Sequence, residues 1–339
     1  MKIAYLAPDS SLCGGQRVTF QQAEELGRRG LSVAIVAPSA PPDWFPLAFA
    51  RWEEADYARS RALAEADVRV ATFWTTVAPA VAGARGPVFH LCQGYEADHD
   101  FYAPRREEIR ALYRLPTHKL VVSPHLEARL RAEGYDPVTR IGQTFDPAEF
   151  PPAPDRRFDA AVPTVLVVGS YEAEVKGIRE ALEALAALRG EGVAFRVRRI
   201  SATPPIPGEG DLVAAEHAVR LAPPEMARAY RDADVLVGAS HEDEGFGLPV
   251  LEALSSGLPA ILSDTAGHRE IAREAAVYFA CRDARSLAGA LRRLLADAGA
   301  RRRLSEAGPA EARRFGTAGV GDRLLREFDR ALRLPAPAC

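Results

Sequence analysis

The sequence predicts an α/β protein of two tandem Rossmann-like domains, each built on a parallel sheet and facing the other across a cleft. Three observations carry this. Short β-branched runs alternate with helical patterns of about ten to fifteen residues through almost the whole chain. The strand candidates are continuously apolar, as strands covered by helices on both faces are. The 339 residues, 47% of them hydrophobic, exceed one ordinary core and suit two.

The elements follow in order. "KIAYLAP" (2–8) reads as a strand, "QRVTFQQAEELGRRG" (16–30) as an amphipathic helix and "LSVAIVAP" (31–38) as a second strand. "DVRVATF" (67–73), "GPVFHLC" (86–92), "HKLVVS" (118–123) and "VTRIG" (138–142) continue the first domain. Five prolines between Asp146 and Pro163 cannot sustain a helix or a central strand, which places a linker and hinge near 150–160. The pattern then restarts with "TVLVVGS" (164–170), the helix "GIREALEALAALRG" (177–190) and the strand "VAFRVRRIS" (193–201). "EHAVRL", "DVLVGAS", "LPAILSD" and "AVYFA" extend it to residue 280. Arginine-rich helices occupy about 284–334, their basic face in solvent, before an unstructured "PAPAC". The expected domains are 1–155 and 156–316. A terminal helix over 317–334 packs back on the first domain.

Composition narrows the function. The net charge of −3 lacks the basic excess of a nucleic-acid binder. Cys13, Cys92, Cys281 and Cys339 form no C-x-x-C pair, so neither a zinc site nor a disulfide framework is expected, and a reducing cytosol suits them. There is no signal-peptide pattern and no apolar run near the roughly 20 residues that span a bilayer. A cytoplasmic protein is expected, with at most peripheral contact with the inner face of a membrane.

In doubly wound sheets ligands bind beyond the carboxyl ends of the strands, so four loops are informative. Gly14-Gly15 opens a helix, where the backbone can approach an anion or form a plain tight turn; the loop matches neither a dinucleotide fingerprint nor a P-loop. Lys176-Gly177 starts another helix, where an ammonium adds to the terminal dipole, unless Lys176 is simply solvated beside Glu172 and Glu174. In "HEDEGFGLPVLEALSSGLPAILSD" (241–264), Glu244 lies in the loop and Glu252 in the first helical turn, with Pro249 suited to the helix start. The N–H groups of residues 246–249 then point at an anion between two acids, a geometry suited to a sugar on a diphosphate. The fourth loop, "HLCQGYEADHDFY" (90–102), offers Gln93, His90 and, as exposed acceptor candidates, Tyr95 and Glu96. His90 alternates with apolar neighbours, which suits a core histidine as well as a catalytic one. Asp98-His99-Asp100 superficially matches a metal-binding D-x-D but leads into a helix, where Asp is a common cap.

The string "EGFGLPVLEALSSGLPAILSD" resembles the signature of family 4 glycosyltransferases, retaining enzymes with the GT-B fold and an E-x7-E motif that Glu244 and Glu252 match. "GGQRVTFQQAEELGRRGLSVAIV", "IGQTFDPAEF", "PPEMARAYRDADVLVGAS", "TAGHREIA" and "RSLAGALRRLLADAGARRRLSEAGPAEARRF" resemble further family segments in the family's order. The resemblance implies that Glu244 contacts donor-sugar hydroxyls, with backbone N–H groups at Gly245, Phe246 and Gly247. It implies that Glu252 holds the ribose, that Leu248, Pro249 and Val250 present a helix terminus to the diphosphate, and that Lys176 binds that diphosphate. Gly14 and Gly15 approach the phosphate or the acceptor. Two departures stand out: Ser170 replaces an expected arginine, with Arg179 a nearby substitute, and Gln93-Gly94 stands where the family has His-Gly or His-Asp, with His90 three residues earlier. "QGYE" is similar to a subgroup that includes rhamnosyl-type transferases.

The implied activity is a metal-independent, retaining transfer of a hexose or deoxyhexose. The donor is a nucleoside-diphosphate sugar, the acceptor a hydroxyl on a small molecule, glycan or lipid-linked group, and no cofactor is required. Two alternatives remain open at this point: a non-catalytic sugar-nucleotide-binding subunit, or a sugar-nucleotide epimerase or hydrolase on the same fold.

Overall fold

A computed structural model describes residues 1–333, so the expected "PAPAC" tail and Cys339 lie outside the described residues. The chain divides into two units, Met1–Phe145 with the segment from Phe315 onward, and Asp146–Arg314.

The first unit holds a seven-stranded parallel sheet: β1 (Lys2–Leu6), β2 (Ser32–Ala37), β3 (Arg51–Glu54), β4 (Val68–Ala71), β5 (Val88–Cys92), β6 (His118–Val121) and β7 (Val138–Arg140). Their order across the sheet is β3-β2-β1-β4-β5-β6-β7. Helices α1 (Gly14–Arg28), α2 (Arg61–Glu65), α3 (Trp74–Val81), α4 (Arg106–Tyr113) and α5 (Pro124–Ala132) make the crossovers. β3 is absent from the sequence expectations because it is polar, half-exposed and paired only with β2 at an edge. Buried Arg69 donates to the carbonyls of Leu63, Ala80, Ala82 and Gly83, satisfying the ends of α2 and α3.

The second unit holds a six-stranded parallel sheet: β8 (Thr164–Val168), β9 (Arg196–Ser201), β10 (Glu216–Val219), β11 (Val235–Gly238), β12 (Ala260–Ser263) and β13 (Val277–Phe279). The order is β10-β9-β8-β11-β12-β13. Around it lie α6 (Ile178–Gly190), α7 (Glu209–Leu212), α8 (Pro223–Asp232), α9 (Leu248–Ser255), α10 (Ala266–Ala272), α11 (Ala284–Ala296) and α12 (Ala298–Ala312). One core runs from Val165, Val167 and Val237 to Leu182, Leu185 and Leu188 of α6 and Leu287, Leu291 and Leu294 of α11. Each such side chain contributes about 1.5–3 kcal/mol on burial. The last helix, α13 (Thr317–Arg333), returns to the first unit, where Phe328 packs on Phe89 and Asp322 pairs with Arg29.

The structure departs from the sequence expectations at two places here. The chain passes between units at 145/146 and 314/315, not near 155. The proline-rich stretch is strapped onto the second unit: Arg156 donates to the carbonyls of Tyr230, Ala233 and Ser256, and the Ala153 N–H to the Ser256 carbonyl. Arg301, expected on a solvated basic face, is 4% exposed and donates to the carbonyls of Leu294, Leu295 and Phe158. Among the described residues no helix is long and apolar enough to cross a membrane.

Candidate active site

Strand order locates the ligand end of the second sheet. β8 lies between β9 and β11, so the crossovers leaving β8 and β11 run in opposite directions and open a crevice at their carboxyl ends. The β8 loop runs from Gly169 through a short 3-10 turn, Glu174–Lys176, into α6. The β11 loop runs from Ala239 to Gly247, which enters α9 in the left-handed region at φ 96°.

These loops bring Lys176 and Glu244 together. The Lys176 ammonium lies 2.9 and 2.7 Å from the two Glu244 carboxylate oxygens, and both side chains are partly exposed. An ammonium has three N–H donors, so a third remains for another acceptor. At the start of α9 the N–H groups of Gly247 and Leu248 have no place in the intrahelical ladder, whereas Val250 already donates to the Gly247 carbonyl. Pro249 sits in the first turn and has no N–H, which narrows the expected donor row of 246–249.

Glu252 is corrected in position. α9 begins at Leu248, so Glu252 is its fifth residue and belongs to the second turn. It is 5% exposed and accepts a hydrogen bond from the Tyr230 hydroxyl at 2.8 Å.

Three side chains to which the sequence reading gave no role frame these loops. His241 is buried, its Nε2 3.0 Å from the Glu180 carboxylate. His268, on α10, is 1% exposed, with Nδ1 3.0 Å from both the carbonyl and the hydroxyl of Ser263. Its edge reaches within 3.7 Å of where a side chain on Gly247 would begin. Burial pushes the His268 pKa below 6.5, which favours the neutral imidazole beneath the Glu244 loop. All three lie in segments quoted above, but only folding brings them to the site. Arg179, the substitute for the missing arginine, is exposed beside Glu183. Ser170 lies in the β8 loop, next to Gly169, whose carbonyl accepts from buried Arg199.

In the first unit, α1 begins at Gly14, and the Gln93 side-chain amide donates to the Gly15 carbonyl at 2.9 Å. Gln93 and the two glycines thus form one local group at the ends of β1 and β5. His90 does not join it. It is completely buried on β5, stacked edge-on against Tyr113 with centroids 4.6 Å apart, and burial with nearby Lys119 holds its pKa well below 6.5. It serves the core because β5 is an interior strand of the sheet, buried at all five of its residues.

Tyr95 and Glu96 are also corrected. They are 2% and 8% exposed; Tyr95 bonds Tyr135, and Glu96 accepts from the Tyr113 hydroxyl at 2.5 Å. Asp98 caps no helix, because Arg129 holds both its oxygens at 2.6 and 2.7 Å. No group of three or more His, Cys, Asp or Glu that could hold a metal ion occurs among the described residues.

Comparison with known proteins bears on the second unit first. Residues 162–297 match the family described as glycosyl transferases group 1. A phosphatidyl-myo-inositol mannosyltransferase of Mycobacterium leprae is 31% identical over 105 residues, 30% of this chain; the matched stretch spans 28% of that protein's length. Sucrose-phosphate synthase from Thermosynechococcus elongatus has a similar structure (TM-score 0.76, 18% identity, 97% of this chain and 98% of that one). So does Anabaena Alr3699/HepE in complex with UDP-glucose (TM-score 0.76, 15% identity, 97% and 100%). The fold is therefore that of the GT-B glycosyltransferases. Over residues 162–297, about two-fifths of its length, this chain is similar to the glycosyl transferases group 1 family.

Proposed function

We propose that this chain transfers a sugar from a nucleoside-diphosphate donor to an acceptor hydroxyl, with retention of anomeric configuration and without a metal. One observation carries the reading: the Lys176–Glu244 pair, 2.7 Å apart, lies on the two loops at the crevice of the second sheet, Glu244 four residues before the start of α9. Breaking the anomeric bond leaves positive charge on the sugar and negative charge on the departing diphosphate. Lys176 and the N-terminus of α9 supply fixed positive charge for that diphosphate. Glu244, with backbone N–H groups at Gly245, Phe246 and Gly247, takes the sugar hydroxyls. Glu252 shares its carboxylate between Tyr230 and the ribose, and Leu248 and Val250 pack beside the phosphates. The leaving phosphate accepts the acceptor's proton, so no covalent protein nucleophile is invoked. Gln93, Gly14 and Gly15 stand on the acceptor side.

The UDP-glucose bound by Alr3699/HepE supports a donor of this class. The name of the mycobacterial relative supports including lipid-linked alcohols among the acceptors tested.

A thermal-shift series with UDP, GDP, ADP and dTDP, followed by transfer assays with the matching sugar nucleotides, tests the proposal. A rise in melting temperature with one diphosphate, and an NMR spectrum showing a product of unchanged anomeric configuration, are expected. No shift with any of the four refutes it. Binding without transfer across acceptors favours a non-catalytic subunit, and turnover without acceptor favours an epimerase or hydrolase.

A further inference from the structure

Pairing of β8 with β11 aligns the starts of two loops but not their ends. Lys176 stands eight residues beyond the end of β8 and Glu244 six beyond β11, so something besides the sheet must set their separation. Three contacts join the loops next to that pair. The His241 N–H donates to the Val175 carbonyl at 2.8 Å. Gly177 is pressed against the Ala239 carbonyl. The third is the His241–Glu180 bond at 3.0 Å, with 1% and 23% of the two side chains exposed.

We propose that the His241–Glu180 pair is a positioning strut, which fixes the height of the Lys176 loop against the Glu244 loop and so sets the spacing of the diphosphate and sugar contacts. The inference rests on the donor-site reading given above. Glu180 is the third residue of α6, where the helix dipole favours an acid whether or not it has a partner. Its carboxylate is nevertheless turned onto an imidazole with almost no contact with water. A buried polar group costs stability unless it is bonded, and an apolar residue at 241 fills the same space without that cost. What the pair provides beyond packing is direction: it ties the first turn of α6, and with it Lys176 four residues earlier, to the third residue of the Glu244 loop. Lys176 and Glu244 bind ligand under this reading; His241 and Glu180 touch only the loops.

The test compares Glu180→Ala, Glu180→Gln and Lys176→Met, alone and combined, in the full chain. Hydrogen exchange is read over residues 170–177 and 239–247, and kcat and KM with the sugar nucleotide selected by the thermal-shift series. Glu180→Ala is expected to speed exchange of the Lys176 loop and to lower kcat/KM about tenfold or more, one charged hydrogen bond's effect. Glu180→Gln, which keeps an acceptor oxygen, is expected to recover most of that loss. Lys176→Met is expected to cost less in the Glu180→Ala background, because a misplaced lysine has less to lose. Additive losses, or unchanged exchange over 170–177, overturn the strut. If the wild type binds none of the nucleotides, the donor-site reading fails by itself, and exchange alone decides the strut.

Discussion

Gly177 gives the sharpest structural prediction. It joins the Lys176 turn to α6 with φ 58°. A methyl group there lies 2.0 Å from the Ala239 carbonyl oxygen, where ordinary contact begins at 3.4 Å. Two costs follow for Gly177→Ala. A left-handed non-glycine residue costs on the order of 1–3 kcal/mol. Forcing backbone apart in a packed region adds about as much, or more where nothing can relax. Together they come to about 4 kcal/mol, a large part of an ordinary domain's stability. The control is Gly190→Ala at the far end of the same helix, where nothing lies within 4 Å and φ is not positive. It is expected to gain about 0.5–1 kcal/mol. Urea unfolding followed by far-UV circular dichroism, with tryptophan fluorescence reporting the first unit that holds all three tryptophans, measures both. A Gly177→Ala midpoint for the second unit equal to that of Gly190→Ala refutes the close approach, and with it the loop geometry on which the site rests.

The remaining predictions concern the site and its pH response. Lys176→Ala is expected to weaken nucleoside diphosphate binding by about 1.5–3 kcal/mol, read by calorimetry, and unchanged affinity removes Lys176 from the site. Glu244→Ala is expected to impair the sugar conjugate more than the free nucleotide, and Glu252→Ala to weaken both; equal losses in the two variants contradict the separate roles. Excess EDTA is expected to leave transfer rates unchanged, and a loss restored by a divalent cation refutes the metal-free reading. The folded state holds His90 neutral with its pKa depressed well below 6.5. The stability it contributes is therefore complete above 6.5 and lost as pH falls below that value toward the folded pKa. His90→Phe is expected to flatten the acid-side decline in unfolding midpoint; an unaltered slope contradicts it.

The sequence by itself determined the alternation of strands and helices, the two-sheet architecture and the glycosyltransferase resemblance. Each is written locally: apolar runs such as "TVLVV" and "AILS" are strands because only burial on both faces suits them, and the string around Glu244 is contiguous. The edge strand β3 was illegible because a polar, half-exposed strand lacks that signature. Only the tertiary structure decided what is buried and what meets what. Tyr95 and Glu96 look like loop residues in the chain, yet α4 and the segment after α5 close over them through Tyr113 and Tyr135. Arg301 looks like surface charge until three carbonyls converge on it. Lys176 meets Glu244 across 68 residues, and His241 meets Glu180 across 61, because two crossovers deliver their loops to neighbouring strand ends. Side-chain periodicity is a property of near neighbours in the chain, whereas contacts between loops depend on the register of strands far apart in it, and no local pattern records that.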